Sequence, residues 1–263
     1  MLYEDQAAGF DERVGLTPEI CESIARGLEQ IVGLREGTRL LEIGAGTGAL
    51  SIPLLLRPID YIGFDRSPAM LSVFREKLAE KGLRGEIVVA DGNERWPAED
   101  AAIDVIFSAR ALHHIDAAHT VAETRRVLGP AGGWLVVGRV RRPHGSLKSN
   151  LRRRMRRLLE ERGFTGRSHE SHTEKVFSAL EELGARRAPA LDAARWIIQH
   201  RPSDSFTSWE GKNGLVGLDI PEQVKRDVLD SLRAWAVEEY GDPDAPHTQE
   251  EFFELDAIDT RIG

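Results

Sequence analysis

The sequence predicts an α/β fold in which a doubly wound, mostly parallel sheet of seven strands carries helices, with the last strand antiparallel. Two observations predict it. Between residues 38 and 140, short apolar segments alternate with helical segments, as in consecutive βαβ units. The strand segments are nearly continuous apolar runs, which is typical of parallel strands buried on both faces. Right-handed crossovers between such units produce a doubly wound, Rossmann-like sheet.

Local signals place each element in order. Thr17 is predicted as the N-cap and Pro18 as the first residue of a helix that runs to about Val32, because these residue types are favoured at those positions. Strands are predicted over residues 38–43, 60–64, 85–90, 103–108 and 134–140, within 185–199, and over 250–260. Further helices are predicted over residues 49–56, 68–81, 119–128, 146–161, 172–183 and 221–240.

The alternation of strands and helices ends after Pro143. Helical segments at about 1–32, 146–183 and 203–240 exceed what is needed to cover a minimal sheet. We expect these three segments to form a helical cap over the carboxyl edge of the sheet. The length fits one large domain, and we therefore expect residues 1–263 to form a single domain.

The composition indicates an ordinary globular protein, with 41% hydrophobic and 30% charged residues. The longest uncharged apolar run, residues 49–56, is far shorter than the ~20 residues of a membrane helix. The acidic N-terminus is unlike a signal peptide, and the one cysteine, Cys21, cannot form an internal disulfide. We expect a cytoplasmic protein without membrane insertion, whose oligomeric state has no signature in the sequence.

The net charge of −8 argues against nucleic acid as the partner of the whole surface. The segment 148–157 is nevertheless strongly basic. An apolar stripe with arginines around it predicts a solvated helix, and no aromatic residues are interleaved to stack on bases. Docking of RNA, an acidic carrier protein or a phosphorylated substrate is the alternative interpretation of this segment.

A glycine turn at residues 44–48 lies where the first strand leads into a helix. Such a turn lets the backbone approach a ligand closely, and the helix N-terminus offers free N–H groups. Three acids accompany the turn at the ends of adjacent strands: Glu42, Asp65 and Asp91. Carboxylates accept hydrogen bonds from ribose hydroxyls and repel a pyrophosphate. The pattern therefore predicts a nucleoside site without a phosphate.

Five segments, in this order and at these spacings, resemble the motifs of class I S-adenosylmethionine-dependent methyltransferases. They are residues 42–48, 63–70, 90–93, 103–108 with 112–115, and 123–133. The resemblance covers about residues 36–140. It is strongest to small-molecule methyltransferases of the ubiquinone/menaquinone-methyltransferase-like type.

The resemblance implies methyl transfer from S-adenosylmethionine to a small-molecule acceptor, with S-adenosylhomocysteine as the product. It implies that Glu42 orients the glycine loop, that Asp65 binds the ribose hydroxyls and that Asp91 accepts from the adenine amino group. The implied cofactor-binding residues are Glu42, Gly44, Ala45, Gly46, Asp65, Arg66, Met70, Asp91, Gly92, Asn93, Ser108 and Ala109.

Methyl transfer from a sulfonium is an in-line displacement, so alignment and desolvation provide most of the catalysis. A base is needed only where an oxygen, nitrogen or carbon nucleophile must lose a proton. Of the adjacent histidines that follow the fourth strand, His113 is the candidate base, although packing is the simpler explanation for both. Tyr3 and Phe10 are candidate lid residues over the sulfonium, and Arg110 could pair with a carboxylate. No acidic ligand cluster is recognisable, so no metal is predicted.

Two other enzyme classes provide alternatives. An RNA or protein methyltransferase would use the basic segment 148–157. An NAD(P)-dependent oxidoreductase would use the same glycine turn, since Gly44-x-Gly46-x-x-Ala49 also fits the dinucleotide fingerprint. The short-chain type of oxidoreductase needs a Tyr-x-x-x-Lys pair, which the chain lacks.

Overall fold

The structure is a computed structural model that describes residues 15–165 and 171–261. The chain divides into two compact units. Unit 1 comprises the described residues of Met1–Val140, Glu170–Ala194 and Phe253–Gly263, and unit 2 those of Arg141–His169 and Arg195–Phe252. No helix in the described part of the chain is long and apolar enough to span a membrane.

The described residues form eight helices and eight strands, and each kind is numbered in chain order. The helices are α1 (Pro18–Val32), α2 (Ser51–Leu54), α3 (Pro68–Lys81), α4 (Ala117–Leu128), α5 (Leu147–Glu160), α6 (His172–Glu182), α7 (Pro202–Glu210) and α8 (Glu222–Tyr240). The strands are β1 (Thr38–Ile43), β2 (Ile59–Asp65), β3 (Glu86–Val89), β4 (Val105–Ala109), β5 (Trp134–Arg141), β6 (Arg186–Arg187), β7 (Leu191–His200) and β8 (His247–Asp259). A short 3₁₀ turn, Leu112–His114, follows β4.

The sheet has the strand order β3-β2-β1-β4-β5-β8-β6, and β7 also pairs with β8. Strand β1 is parallel to β2 and β4, while β2 is parallel to β3 and β4 is parallel to β5. Strand β8 pairs with β6 in antiparallel orientation. The predicted doubly wound, mostly parallel sheet is therefore confirmed.

Two elements differ from the prediction. The sheet has eight strands within the described residues instead of seven, because the segment 185–199 forms both β6 and β7. Pro189 lies between them and lacks the N–H that would continue the pairing of β6. The helix predicted over residues 49–56 is only the single turn α2, because the N–H groups of Leu56 and Arg57 donate to the carbonyls three residues earlier and so form turns.

The boundaries of α1 show how the local sequence sets an element. The Thr17 hydroxyl accepts a hydrogen bond from the N–H of Ile20 at 3.4 Å, Pro18 occupies the first turn, and Gly33 ends the helix with a φ of 68°. One face of the helix is buried through Cys21, Ile24, Ala25, Gly27 and Leu28. The N-cap and the first-turn proline that predicted this helix are both observed.

The core of unit 1 lies around the parallel strands and includes Trp96, which is almost fully buried. The Trp96 indole N–H donates to the carbonyl of Gly92 at 2.9 Å, and its backbone N–H donates to Glu123 Oε2 at 2.7 Å. Arg126 donates to both carboxylate oxygens of Glu123, at 2.8 and 2.6 Å. This ion pair therefore supports the segment that follows β3.

Replacing Glu123 with alanine is expected to lower the free energy of unfolding by about 3 kcal/mol, because it leaves the mostly buried Arg126 without its main partner. Urea unfolding measures this change. Glu80→Ala is the matched control, since Glu80 is an exposed residue of α3 and surface substitutions change stability by roughly 0.5 kcal/mol or less. Equal effects of the two substitutions would contradict the structural role of Glu123.

Unit 2 has a separate apolar core made mainly by α5, α7 and α8. Its buried residues include Leu151 and Met155 from the basic helix and the aromatic side chains of Phe206 and Trp209. Of the predicted cap segments, α1 and α6 belong to unit 1, whereas α5, α7 and α8 belong to unit 2. The single domain with a cap over the sheet edge stays a prediction.

Candidate active site

A cavity of about 360 Å³ in unit 1 lies where the carboxyl ends of β1 to β4 meet. The loops that follow these four strands provide nearly all of its walls. Twelve residues predicted from the sequence line it: Glu42, Gly44, Ala45, Gly46, Asp65, Arg66, Met70, Asp91, Gly92, Asn93, Ala109 and Arg110. The structure thus brings the glycine turn and the three predicted acids to one place.

The glycine turn begins with a residue that has no room for a side chain. Gly44 has a φ of 75°, and a Cβ atom there would lie 2.1 Å from the Cβ of Ala111. The backbone N–H groups of Gly44 and Ala45 both donate to the carbonyl of Phe64, at 2.9 and 3.0 Å. The turn is therefore fixed against the end of β2 and against the loop that follows β4.

Asp65 connects the glycine turn to the start of α3. Its Oδ2 accepts from the backbone N–H of Gly46 at 3.0 Å, and its Oδ1 accepts from the N–H of Ser67 at 2.9 Å. Each carboxylate oxygen has a further lone pair. Asp65 can therefore hold the loop in place and accept hydrogen bonds from a ligand in the cavity at the same time.

Glu42 is a cavity residue whose side chain is almost completely buried. Its Oε2 accepts hydrogen bonds from the hydroxyls of Tyr61 at 2.6 Å and Ser51 at 2.7 Å. Burial raises the pKa of the Glu42 carboxyl from 4.5 to about 7; the two hydroxyls oppose this shift and the charge of Asp65 adds to it. Glu42 thus titrates near neutral pH.

The segment after β3 is braced by hydrogen bonds of its own. Asp91 Oδ1 accepts from the backbone N–H of Asn93 at 2.9 Å, and this bond lowers the pKa of Asp91. The Asn93 side-chain oxygen accepts from the N–H of Asp116 at 2.9 Å. At Gly92, a Cβ atom would lie 2.4 Å from the side chain of Ile115, so the two loops pack closely at this point.

The loop after β4 places three predicted residues differently. Ala109 and Arg110 line the cavity, and Arg110 has a φ of 64°, a strained conformation that is common at functional sites. Ser108 does not line the cavity; it is fully buried, and its hydroxyl donates to the carbonyl of Ile43 at 3.1 Å. The side chain of Ser108 therefore connects β4 to β1 by a hydrogen bond.

The two adjacent histidines occupy different positions. His114 lines the cavity, whereas His113 does not, because consecutive residues of the 3₁₀ turn point in different directions. Their ring centroids lie 3.9 Å apart. Partial burial, together with the charges of His114, His172 and Arg110, lowers the pKa of His113 to about 4. His114 is therefore the better-placed histidine for contact with a ligand in the cavity.

Several cavity residues were not predicted from the sequence, and most are apolar neighbours of the motif residues. The additional wall residues are Leu16, Ile43, Thr47, Ala49, Leu50, Phe64, Ala90, Ala111 and Ile115, and also His114, the neighbour of the preferred candidate base His113. Most of them adjoin strand ends and could have been found by extending each motif by two or three positions. Leu16 precedes α1 and carries no motif. Tyr3 and Phe10 lie outside the described residues.

No group of three histidine, cysteine or carboxylate side chains within residues 15–165 and 171–261 is arranged to hold a metal ion. The cavity instead offers backbone N–H groups, three carboxylates and a largely apolar wall. Such a set suits an organic ligand that has both hydroxyl and amino donors.

A doubly wound sheet with a glycine turn and acids at the ends of its first three strands defines the class of nucleoside-binding α/β proteins. Residues 40–132 match the family model described as a methyltransferase domain. This segment is a methyltransferase domain, and the resemblance to class I S-adenosylmethionine-dependent methyltransferases is confirmed.

Two curated relatives and one solved structure illustrate the similarity. An uncharacterized methyltransferase of Mycobacterium tuberculosis is 35% identical over 94 residues, covering 36% of this chain and 37% of that protein. A ubiquinone/menaquinone biosynthesis C-methyltransferase of Pseudomonas paraeruginosa is 36% identical over 128 residues, covering 46% and 48%. The YcgJ protein of Bacillus subtilis has a TM-score of 0.57 at 20% identity, covering 91% of this chain and 99% of that chain. The chain spans less than half the length of these two curated relatives.

Proposed function

We propose that the chain transfers the methyl group of S-adenosylmethionine to a small-molecule acceptor, with S-adenosylhomocysteine as the second product. The observation that carries this proposal is the cavity that brings the glycine turn together with Glu42, Asp65 and Asp91. The two curated relatives described above are named as methyltransferases. We propose the acceptor only as a small molecule with an oxygen, nitrogen or carbon nucleophile, because the sequence carries no motif that identifies it.

The residues that line the cavity fit S-adenosylmethionine in their chemistry. Gly44 and Gly92 lack the Cβ atoms that would clash with Ala111 and Ile115, so the loops after β1, β3 and β4 can pack closely around the cavity. Asp65 would accept from the ribose hydroxyls and Asp91 from the adenine amino group, while Glu42 would face the positively charged methionine end. Three carboxylates around one cavity disfavour the pyrophosphate of NAD(P), which argues against the oxidoreductase alternative.

When bound, S-adenosylmethionine supplies a methyl group already activated by the sulfonium. The protein's own contribution is to align the acceptor and to exclude water. Arg110 lies on the cavity wall and would attract a carboxylate. His114 would accept a proton where the acceptor has one to lose. His113, the base predicted from the sequence, lies off the cavity wall.

The alternative of an RNA or protein substrate rests on the basic helix α5. That helix buries its apolar stripe in the core of unit 2 and interleaves no aromatic residue with its arginines. Stacking on aromatic side chains is the usual device for holding single-stranded nucleic acid. We therefore favour the small-molecule acceptor.

Isothermal titration of the purified chain with S-adenosylmethionine, S-adenosylhomocysteine and NADPH tests the proposal. We expect micromolar binding of both adenosyl ligands and no heat with NADPH. A screen of small acceptors with radiolabelled S-adenosylmethionine then identifies the substrate class. Absence of binding by both adenosyl ligands would refute the methyltransferase function, and binding of NADPH alone would support the oxidoreductase alternative.

The pKa of Glu42, about 7, predicts that the affinity for S-adenosylmethionine rises with pH. The positive charges of the ligand favour the ionised carboxylate, which is the minor form below pH 7 and the major form above it. From pH 6 to pH 8 the affinity is expected to rise about tenfold relative to Glu42→Gln. Calorimetry of the unaltered protein and of Glu42→Gln at each pH gives the ratio of their affinities. The ligand's own amino group titrates equally in both measurements, so its effect cancels in this ratio.

The same carboxyl makes the stability of the unliganded protein pH-dependent in the opposite direction. Its pKa is raised in the folded state, so its protonated form favours folding. This contribution is fully present below the unfolded pKa near 4.5 and is lost as the pH rises through about 7. Glu42→Gln should remove this part of the pH dependence, and an unchanged profile in the variant would contradict the assignment.

A further inference from the structure

The basic helix α5 in unit 2 carries two kinds of side chain on different sides. Its apolar residues are buried in the core of unit 2: Leu147, Leu151, Met155, Leu158 and Leu159. Lys148, Arg152 and Arg156 follow one another at intervals of four residues, so they form a row along one side of the helix. None of these three residues lines the cavity of unit 1.

The row continues into a cluster built around one buried carboxylate. Glu251 on β8 is 6% exposed. Its Oε1 lies 2.6 Å from Arg142 Nε and 3.6 Å from Lys148 Nζ. The side chains of Arg142 and Lys148 are themselves about three-quarters buried. Two cations thus share a single carboxylate oxygen in a recessed position.

The cluster has more positive than negative charge. Arg142, Lys148 and Arg152 lie close enough to affect one another, and Glu251 is the carboxylate among them. Burial lowers the pKa of the Lys148 ammonium, and Arg142 and Arg152 lower it further, while Glu251 opposes them. Counting Asp204, which lies near His200 at the margin, still leaves an excess of cations. A partly buried cation without a matching anion is unfavourable.

A second observation indicates that a partner is missing. Gln249 is 7% exposed, and neither its amide nitrogen nor its amide oxygen has a hydrogen-bond partner among the described residues. Gln249 and Glu251 are two positions apart on β8 and lie on the same, buried side of that strand. Ser146, the N-cap of α5, also has a buried hydroxyl without a partner.

We propose that Arg142, Lys148, Arg152 and Gln249 form a binding site in unit 2 for a small organic anion with a carboxylate or phosphate group. The cations provide the charge, and the amide of Gln249 provides hydrogen bonds to the anion once Lys148 moves away from Glu251. The first turn of α5 adds free N–H groups and a favourable dipole. The argument for this site does not rest on the proposed methyl transfer.

A small anion fits the cluster better than a polyanion does. A nucleic acid backbone is held by a row of exposed cations that follows its phosphates. Here Glu251 and Gln249 are more than nine-tenths buried, and two of the cations are recessed beside them. Such a concave polar site is typical of small ligands that bury most of their surface.

Calorimetric titration of the full chain with inorganic phosphate and with succinate, in low-chloride buffer without S-adenosylmethionine, tests the site. We expect at least one of the two to bind with a Kd below 1 mM and to raise the Tm. Binding of phosphate alone identifies a phosphate ligand, and binding of succinate alone identifies a carboxylate. Lys148→Gln and Arg152→Gln should each weaken binding about tenfold.

Two further variants separate a specific site from general positive charge. Gln249→Leu should raise the Tm of the unliganded protein, because an unpartnered amide is removed, and should weaken anion binding. Arg157→Gln removes the same charge from the same helix, about two and a half turns from Lys148 and on the opposite side of the helix, and should leave the Kd unchanged. Binding of neither anion, an equal loss in Arg157→Gln, or binding of a 12-nucleotide RNA with the same loss in both arginine variants overturns the proposal.

Discussion

Replacing Asp65 with alanine is expected to weaken the binding of S-adenosylmethionine at least a hundredfold. The Asp65 carboxylate accepts hydrogen bonds from Gly46 and Ser67 and is the group proposed to hold the two ribose hydroxyls. A hydrogen bond to a charged group is worth about 1.5–3 kcal/mol, and two such bonds correspond to a factor of roughly 100 or more. Isothermal titration of the variant measures the loss directly.

Two further variants give this experiment its control. Asp65→Asn retains one carbonyl oxygen as acceptor and should have an intermediate affinity. Asp60→Ala removes a carboxylate from the same strand β2, but Asp60 is exposed and does not line the cavity. The affinity of Asp60→Ala for S-adenosylmethionine should match that of the unaltered protein. If Asp65→Ala binds S-adenosylmethionine within threefold of the unaltered protein, Asp65 does not hold the ribose.

The cavity acids could be predicted because each one lies within two residues of the end of a strand that has a strong local signal. Strand β1 has the predicted bounds, 38–43, and α3 begins at Pro68 and ends at Lys81 as predicted. Strands of a parallel sheet share one carboxyl edge, so the strand ends alone bring Glu42, Asp65 and Asp91 together. The functional roles of these residues stay proposals until ligand binding is measured.

The contacts that tune the site could not be predicted, because they join residues that are distant in the sequence. Tyr61 reaches Glu42 across 19 positions and helps to hold it. The proximity of Ala111 to Gly44 depends on the path of the loop after β4. His114 lines the cavity in place of His113 because of the orientation of a single 3₁₀ turn. No periodicity or spacing carries such information.

The cluster around Glu251 illustrates the same limit in unit 2. The sequence presents a basic segment, and the arginines alone predict a solvated helix. Lys148 of that helix forms an ion pair with Glu251 on β8 and is mostly buried there. The amide of Gln249, on the same strand, has no hydrogen-bond partner among the described residues. A local charge pattern therefore cannot distinguish an exposed basic face from an anion site; the neighbouring strand decides between them.

Replacing Gly44 with alanine is expected to abolish detectable binding of S-adenosylmethionine and to lower the Tm. Two separate causes act at this position. The φ of 75° is unfavourable for alanine, at a cost of about 1–2 kcal/mol. The new Cβ atom would also lie 2.1 Å from the Cβ of Ala111, so the glycine turn or the loop after β4 must move. Either movement disturbs the cavity wall.

Two control variants separate these causes. In Gly44→Ala combined with Ala111→Gly the clash disappears, since the nearest remaining atom, the Cα of Ala111, is at 3.6 Å. Binding should then return in part, and only the backbone strain should remain. Gly82→Ala places alanine at a φ of 63° with no atom within 4 Å of its Cβ, so it should lower the Tm slightly and leave binding intact. If the double variant binds no better than Gly44→Ala, backbone strain at the turn, and not contact with the loop after β4, controls access to the cavity.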